Sequence, residues 1–199
     1  MVCNNSSCSG IEKSGFLTPK WDIDCNKVKI IMISEAPPME SSAYFSEDKT
    51  DYMITTIQAF NDAGLNVKSL QDIISLGFQI TTAIKCPKID YSIPSSTIKI
   101  CSELLESELK LYQNAKVYML MGDVAISAIN NIARRQIGKR VIPNNSTYKI
   151  RNEEFMFGDI RIFPSYLQTG KNYLIEKSKR SMIADDINRA FNYVSQKGK

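Results

Sequence analysis

The chain contains no histidine. No imidazole is therefore available as a base, as a hydrogen-bond donor or as a metal ligand. Glycine and proline are sparse, 9 and 7 residues of 199, and no low-complexity tract or internal repeat is present. No apolar run reaches the roughly 20 residues of a membrane span. Met1 to Gly10 is polar and lacks the apolar stretch of a secretion signal. These absences lead us to expect a cytoplasmic protein with no membrane partner. In that setting the five cysteines are read as thiols or metal ligands in preference to disulfides.

What is present suits a single domain over 1–199 with a sizeable core, preceded by a polar arm over 1–27. Charge is unevenly spread. Residues 134–199 carry 14 Lys and Arg against 6 Asp and Glu, a net of +8, whereas residues 1–133 carry 11 against 15, a net of −4, together the chain's +4. A basic last third suggests a polyanion-binding side, although a solvated basic surface has the same composition.

The chain is organised around Lys29-Ile30-Ile31-Met32-Ile33-Ser34-Glu35-Ala36-Pro37-Pro38. Val28 to Ile33 reads as a strand covered on both faces. Two prolines then forbid its continuation and leave a stiff loop carrying Glu35, with Glu40 a little further on. Periodicity predicts helices over 51–64 and 69–76, a strand over 78–84 and a helix capped by Ser95 or Ser96. A strand over 116–121 and a helix from Gly122-Asp123 to about Arg134 follow. Residues 147–151 are expected to be extended, 159–163 a short strand cut by Pro164, and 171–195 a basic amphipathic helix. Strands alternating with helices predict an α/β fold of three layers around a four-stranded parallel sheet. The loops after its strands should converge on one edge, where such sheets bind ligands.

Four of those loops carry motifs: Ser34-Glu35-Ala36-Pro37-Pro38, Thr82-Ala83-Ile84-Lys85-Cys86, Met121-Gly122-Asp123-Val124-Ala125 and Phe163-Pro164-Ser165-Tyr166-Leu167. In this order the set resembles the uracil-DNA glycosylase superfamily, and most nearly its family four, whose members carry an iron–sulfur cluster. The family's versions are Gly-Glu-(Ala or Gly)-Pro-Gly, Asn-Val-Val-Lys-Cys, a Leu-Gly turn into a helix, and His-Pro-(Ser or Ala)-Tyr-Leu.

The resemblance implies a DNA glycosylase that hydrolyses the bond between sugar and base of a flipped-out nucleotide, acting on DNA as a monomer. It assigns Glu35 and Glu40 to catalysis, and Ala36, Pro37, Phe45, Thr82 and Phe163 to the base. Ser165, Tyr166, Leu167, Lys149, Arg151 and Lys171 are assigned to DNA, with Tyr166 and Leu167 as a wedge. Lys177, Lys179 and Arg180 are read as further candidates for phosphate contact, with a solvated face as the alternative. Cys3, Cys8, Cys86 and Cys101 stand where the family holds its [4Fe–4S] cluster. Ligand count alone suits zinc equally well, and Cys25 is a possible substitute ligand.

Two departures bear on the chemistry. Thr82 stands at the family's Asn and Phe163 at its His. A hydroxyl replaces a paired donor and acceptor, and a phenyl ring replaces a donor. The sequence therefore predicts weak action on plain uracil and a preference for another damaged or modified base. The alternative is a non-catalytic module that binds DNA or a nucleotide on the same fold.

Overall fold

The computed structural model describes residues 8–11, 23–37, 51–89, 92–168, 173 and 176–197. Its elements are β1 (Ile30–Ser34), α1 (Asp51–Asp62), α2 (Leu70–Ser75), β2 (Phe78–Thr82), α3 (Ser95–Leu109) and β3 (Val117–Met121). They continue with α4 (Asp123–Ile137), α5 (Thr147–Ile150), β4 (Phe155–Phe157), β5 (Ile160–Ser165) and α6 (Lys177–Lys197). The sheet order is β2-β1-β3-β5-β4. β2, β1, β3 and β5 are parallel, as expected.

All five residues of β1 are buried, because alternate side chains enter two different apolar layers. Ile31 and Ile33 join Tyr118, Leu120 and Ile162 beneath α3 and α4. Ile30 and Met32 join Met119, Met121 and Phe163 beneath α1, α2 and α6. This gives the three-layer α/β/α architecture, with the carboxyl ends of the four parallel strands on one edge.

Three local expectations are corrected. The sheet has five strands instead of four. β4 forms an antiparallel hairpin with β5, and its three residues are too few to show a period of two. Residues 147–150 are helical, with Thr147 and Ile150 buried three residues apart on one side. β5 runs through Pro164 to Ser165. Arg161 donates its N–H to Lys116 in the direction of β3. Pro164 lies an odd number of residues away, so its missing N–H points the other way. On that side β4 has already ended, since its last pairing is with Ile162.

A buried ion pair anchors the end of β2. Lys85 Nζ, 2% exposed as a residue, donates to Thr81 Oγ1 at 2.8 Å, to the Thr82 carbonyl at 2.7 Å and to Glu108 of α3. Thr81 in turn donates to Glu108 at 2.7 Å. Burial lowers the Lys85 pKa, and Glu108 opposes that shift. The network fixes where the chain leaves β2, and with it the start of the Cys86 loop.

Candidate active-site cleft

The loops that follow the parallel strands meet. Ala83 and Ile84 donate backbone hydrogen bonds to the carbonyls of Ser34 and Glu35 at 2.8 and 2.9 Å, tying the β2 loop to the β1 loop. The N–H of Gly122 donates to the Ser165 carbonyl at 2.9 Å, tying the β3 turn to the end of β5. Gly122 has φ +99°, a left-handed value that lets the chain turn directly from strand into helix. Beyond β5, Gln168 is buried and donates from Nε2 to Ser34 Oγ at 3.3 Å, drawing the Leu167 segment over β1.

The convergence leaves a cleft of about 1200 Å³, lined by Glu35 from the β1 loop, Lys88 from the β2 loop, Asp123 and Val124 from the β3 turn, and Leu167. Lys88 Nζ donates to Glu35 Oε1 at 3.1 Å, and the carboxylate side chain is 20% exposed. A carboxylate and an ammonium thus face solvent together at the mouth of a concave site. The helices α3 and α4 also begin at this cleft. The N-cap positions are Pro94 and Gly122, and neither supplies a side-chain cap. Ser95 and Ser96, expected as alternative caps, are instead the first two helical residues. The first turns thus leave backbone N–H groups without side-chain caps at the cleft, those of α4 beside the Asp123 carboxylate.

The other expected site residues distribute as follows. Ala36 is half-buried and packs on the α3/α4 layer, and Pro37 is buried. Thr82 is buried at the end of β2 and does not line the cleft. Phe163 is a core residue, 4% exposed. Its ring meets Tyr193 edge-on at 6.2 Å, and the guanidinium groups of Arg161 and Arg189 lie 4.9 and 5.7 Å from its centroid. Its side chain points to the α6 layer because it alternates with Ile162 along β5. Glu40, Phe45, Lys171 and Cys3 lie outside the described residues.

Two residues expected on DNA are turned inward. Ser165 is fully buried and donates to Asp186 Oδ2 at 2.7 Å. Arg151 is buried and donates to Asp186 Oδ1 at 2.8 Å, Asp185 Oδ2 at 2.9 Å and the Met182 carbonyl at 2.9 Å. Burial raises the Asp186 pKa against the hydrogen bonds from Ser165 and Arg151. Burial also opposes the Arg151 charge, but Asp186 and Asp185 outweigh it and raise its pKa. This triad clamps β5 to α6. Tyr166 is half-buried with the Lys179 ammonium 5.7 Å from its ring centroid, and burial raises its pKa. Arg180 is held by Asp62 of α1, and Lys179 pairs with Glu176 at 2.6 Å. Lys149 and Lys177 are exposed.

Cys8, Cys86 and Cys101 are buried in the same apolar layer. The arm reaches them because Ile11 bridges Lys88, Ile89 donates to the Gly10 carbonyl at 3.1 Å, and Ser9 exchanges hydrogen bonds with Thr97. Gly10 is required there: its φ is +70°, and a Cβ would lie 2.8 Å from Pro94 Cδ. The donor set therefore suits a soft metal in kind, three thiols beside one strapped arm. Among the described residues, no three of the His, Cys, Asp and Glu side chains are grouped to hold an ion. Cys25 is half-buried, and its thiol contacts the Ile23 carbonyl at 3.9 Å.

Sequence reasoning passed over Lys88, Gln168 and Asp186. The signal for Asp186 was an acid set among Ile183, Ile187 and Ala190 on the apolar stripe of α6. No curated protein matches the chain significantly. The uracil DNA glycosylase superfamily matches it over residues 22–189, which takes in all five strands and the converging loops, and the chain therefore belongs to that superfamily.

Proposed function

We propose that the protein is a DNA glycosylase, nearest to the iron–sulfur family four, whose preferred substrate is a damaged or modified base other than plain uracil. The observation that carries this reading is Glu35, half-buried beside Lys88 where four strand-end loops meet. In the proposed reaction the bond from C1′ to the base nitrogen breaks and its electron pair leaves with the base. Water then bonds to C1′ and gives its proton to the Glu35 carboxylate. Positive charge developing on the sugar is favoured by the same carboxylate, and negative charge on the base calls for a donor or a cation. With no imidazole in the chain, Lys88 is the nearest described candidate for that role. Leu167, on the cleft wall, and Tyr166 beside it are suited to fill the space left by a flipped nucleotide.

Loss of one donor to a developing anion typically costs about 10²–10³ in rate, which is why uracil is expected to be a poor substrate. The test is single-turnover cleavage of matched duplexes carrying uracil and a panel of oxidised, deaminated and alkylated bases. Cleavage of one or more of the other bases, faster than uracil, is the expected result. Efficient excision of uracil would remove the altered specificity. Tight DNA binding with no cleavage of any base would favour the non-catalytic module, a reading supported by the burial of Thr82 and Phe163 away from the cleft.

We further propose that Cys8, Cys86 and Cys101, with Cys3 as the fourth ligand, hold a [4Fe–4S] cluster in preference to zinc. Such a group would pin the arm to α3. Anaerobically purified protein is expected to be brown, and Cys86→Ala or Cys101→Ala to lose both the colour and thermal stability, because metal binding is coupled to folding. Colourless protein with stoichiometric zinc would replace the cluster by zinc. Metal-free protein of unchanged stability would end the proposal.

A further inference from the structure

The cleft continues well past Glu35. Its far wall is built by α3, α4 and the turn over 140–146, and includes Lys99, Ser127, Asn131, Arg134, Arg140 and Asn144. Among the described residues, the only acids lining the cleft are Glu35 and Asp123, both at the strand-end edge. Glu35 is already paired with Lys88. The far wall is therefore cationic and amide-rich, with no carboxylate among the described residues that line it.

These cations differ from Lys179 and Arg180 of α6, although Lys177 there is likewise exposed. Arg180 is committed to Asp62 and Lys179 to Glu176. Among the described residues, Lys99, Arg134 and Arg140 are exposed and make no ion pair. Arg134 Nη1 donates to Asn131 Oδ1 at 3.2 Å, which orients the guanidinium without neutralising it. The neighbouring Arg135 turns the other way, onto Glu106 and Ser102 of α3, and so serves helix packing.

The wall is also pre-formed. Asn130 of α4, 7% exposed, accepts from the backbone N–H groups of Val141 and Ile142 at 3.1 Å each and donates to the Ile142 carbonyl at 2.9 Å. Ile142 itself is fully buried. These bonds fix the turn that carries Arg140 and Asn144 against α4. From Asp123 to Arg134 the helix advances about 16 Å at 1.5 Å per residue. That distance is the axial span of about five nucleotides of one strand.

We propose that this α3/α4 wall is a track for the phosphates of one DNA strand flanking the nucleotide held at Glu35, with Lys99, Arg134 and Arg140 as its cations. The basic excess of the last third thus acts through the start of that segment, at Arg134 and Arg140, and less through Lys179 and Arg180 of α6. The inference rests on the glycosylase reading for the identity of the polyanion. Exposed cations held in place without internal partners gain counterion-release energy from phosphate that paired cations cannot.

The test uses the full chain and a short duplex containing a tetrahydrofuran abasic-site analogue, so that no base need be known. Binding is measured across a salt series. The triple variant Lys99→Ala/Arg134→Ala/Arg140→Ala is expected to reduce the log–log salt slope by about 2.7, at about 0.9 per phosphate contact, and to weaken binding about a hundredfold near 0.1 M salt. Should the triple variant fold poorly by circular dichroism, Lys99→Gln/Arg140→Gln alters only exposed side chains and is expected to reduce the slope by about 1.8. Lys29→Ala/Lys116→Ala, at the amino ends of β1 and β3 and away from the cleft, is expected to leave the slope unchanged. A parent that binds with a steep salt slope while the cleft variants match it would overturn the track and leave the glycosylase reading standing. A parent with no salt-dependent binding would overturn both.

Discussion

Glu35→Gln is expected to lower single-turnover excision by about 10²- to 10⁴-fold, the range that a positioned acid or base contributes. The change keeps the shape of the side chain and removes its charge and basicity. The two side chains of its pair with Lys88 keep 20% and 35% of their surface in solvent, so the loss in folding stability should stay within about 1 kcal/mol. A large fall in rate with an almost unchanged unfolding midpoint separates a chemical role from a structural one. Lys88→Met provides the companion measurement. If Lys88 faces charge that grows on the leaving base, its loss costs about 10²–10³ in rate, and the cost grows for bases that leave as poorer anions. Excision by Glu35→Gln at close to the parent rate would sink the assignment of the carboxylate to the reaction.

The second large effect is on stability. Asp186→Ala is expected to destabilise the fold by about 3–5 kcal/mol, because it leaves buried Arg151 without its main counter-charge. Ser165 also loses its acceptor at the end of β5. For a chain of this size the change corresponds to a fall in Tm of roughly 6–20 °C. The cost comes from stranding a charge more than from the intrinsic worth of the pair. The double replacement Asp186→Leu/Arg151→Met is therefore expected to be less damaging than the sum of its parts. Chemical denaturation of the four proteins of the cycle measures this directly. A single-variant loss below about 1 kcal/mol would show that water reaches Arg151 and that the triad is not a clamp. Because Ser165 immediately precedes Tyr166 and Leu167, the clamp also positions the wall of the cleft. Residual folded Asp186→Ala should accordingly show a reduced rate on any substrate.

The sequence by itself determined the four parallel strands of the sheet and their chemical edge, but not the short antiparallel β4. Val28 to Ile33 was legible as a central strand because a nearly all-apolar, largely β-branched run has nowhere to go but between two apolar layers. The proline pair after Glu35 and the glycine before Asp123 were legible because local backbone rules end strands there, whatever packs around them. Convergence of the strand-end loops followed from parallel topology alone. The tertiary structure decided where side chains with more than one use would go. Ser165 and Arg151 carry the residue types of phosphate contacts, yet a single buried acid on α6 claims both. Phe163 sits in a motif assigned to binding the base, but its place in the alternation of β5 sends it to the α6 layer. Lys88 entered the site through a bridge to the arm at Ile11, a contact between residues 77 positions apart. Short-range pattern reports backbone conformation and burial well, since both depend on neighbours in the chain. The partner of a polar or charged group depends on elements that only folding brings together.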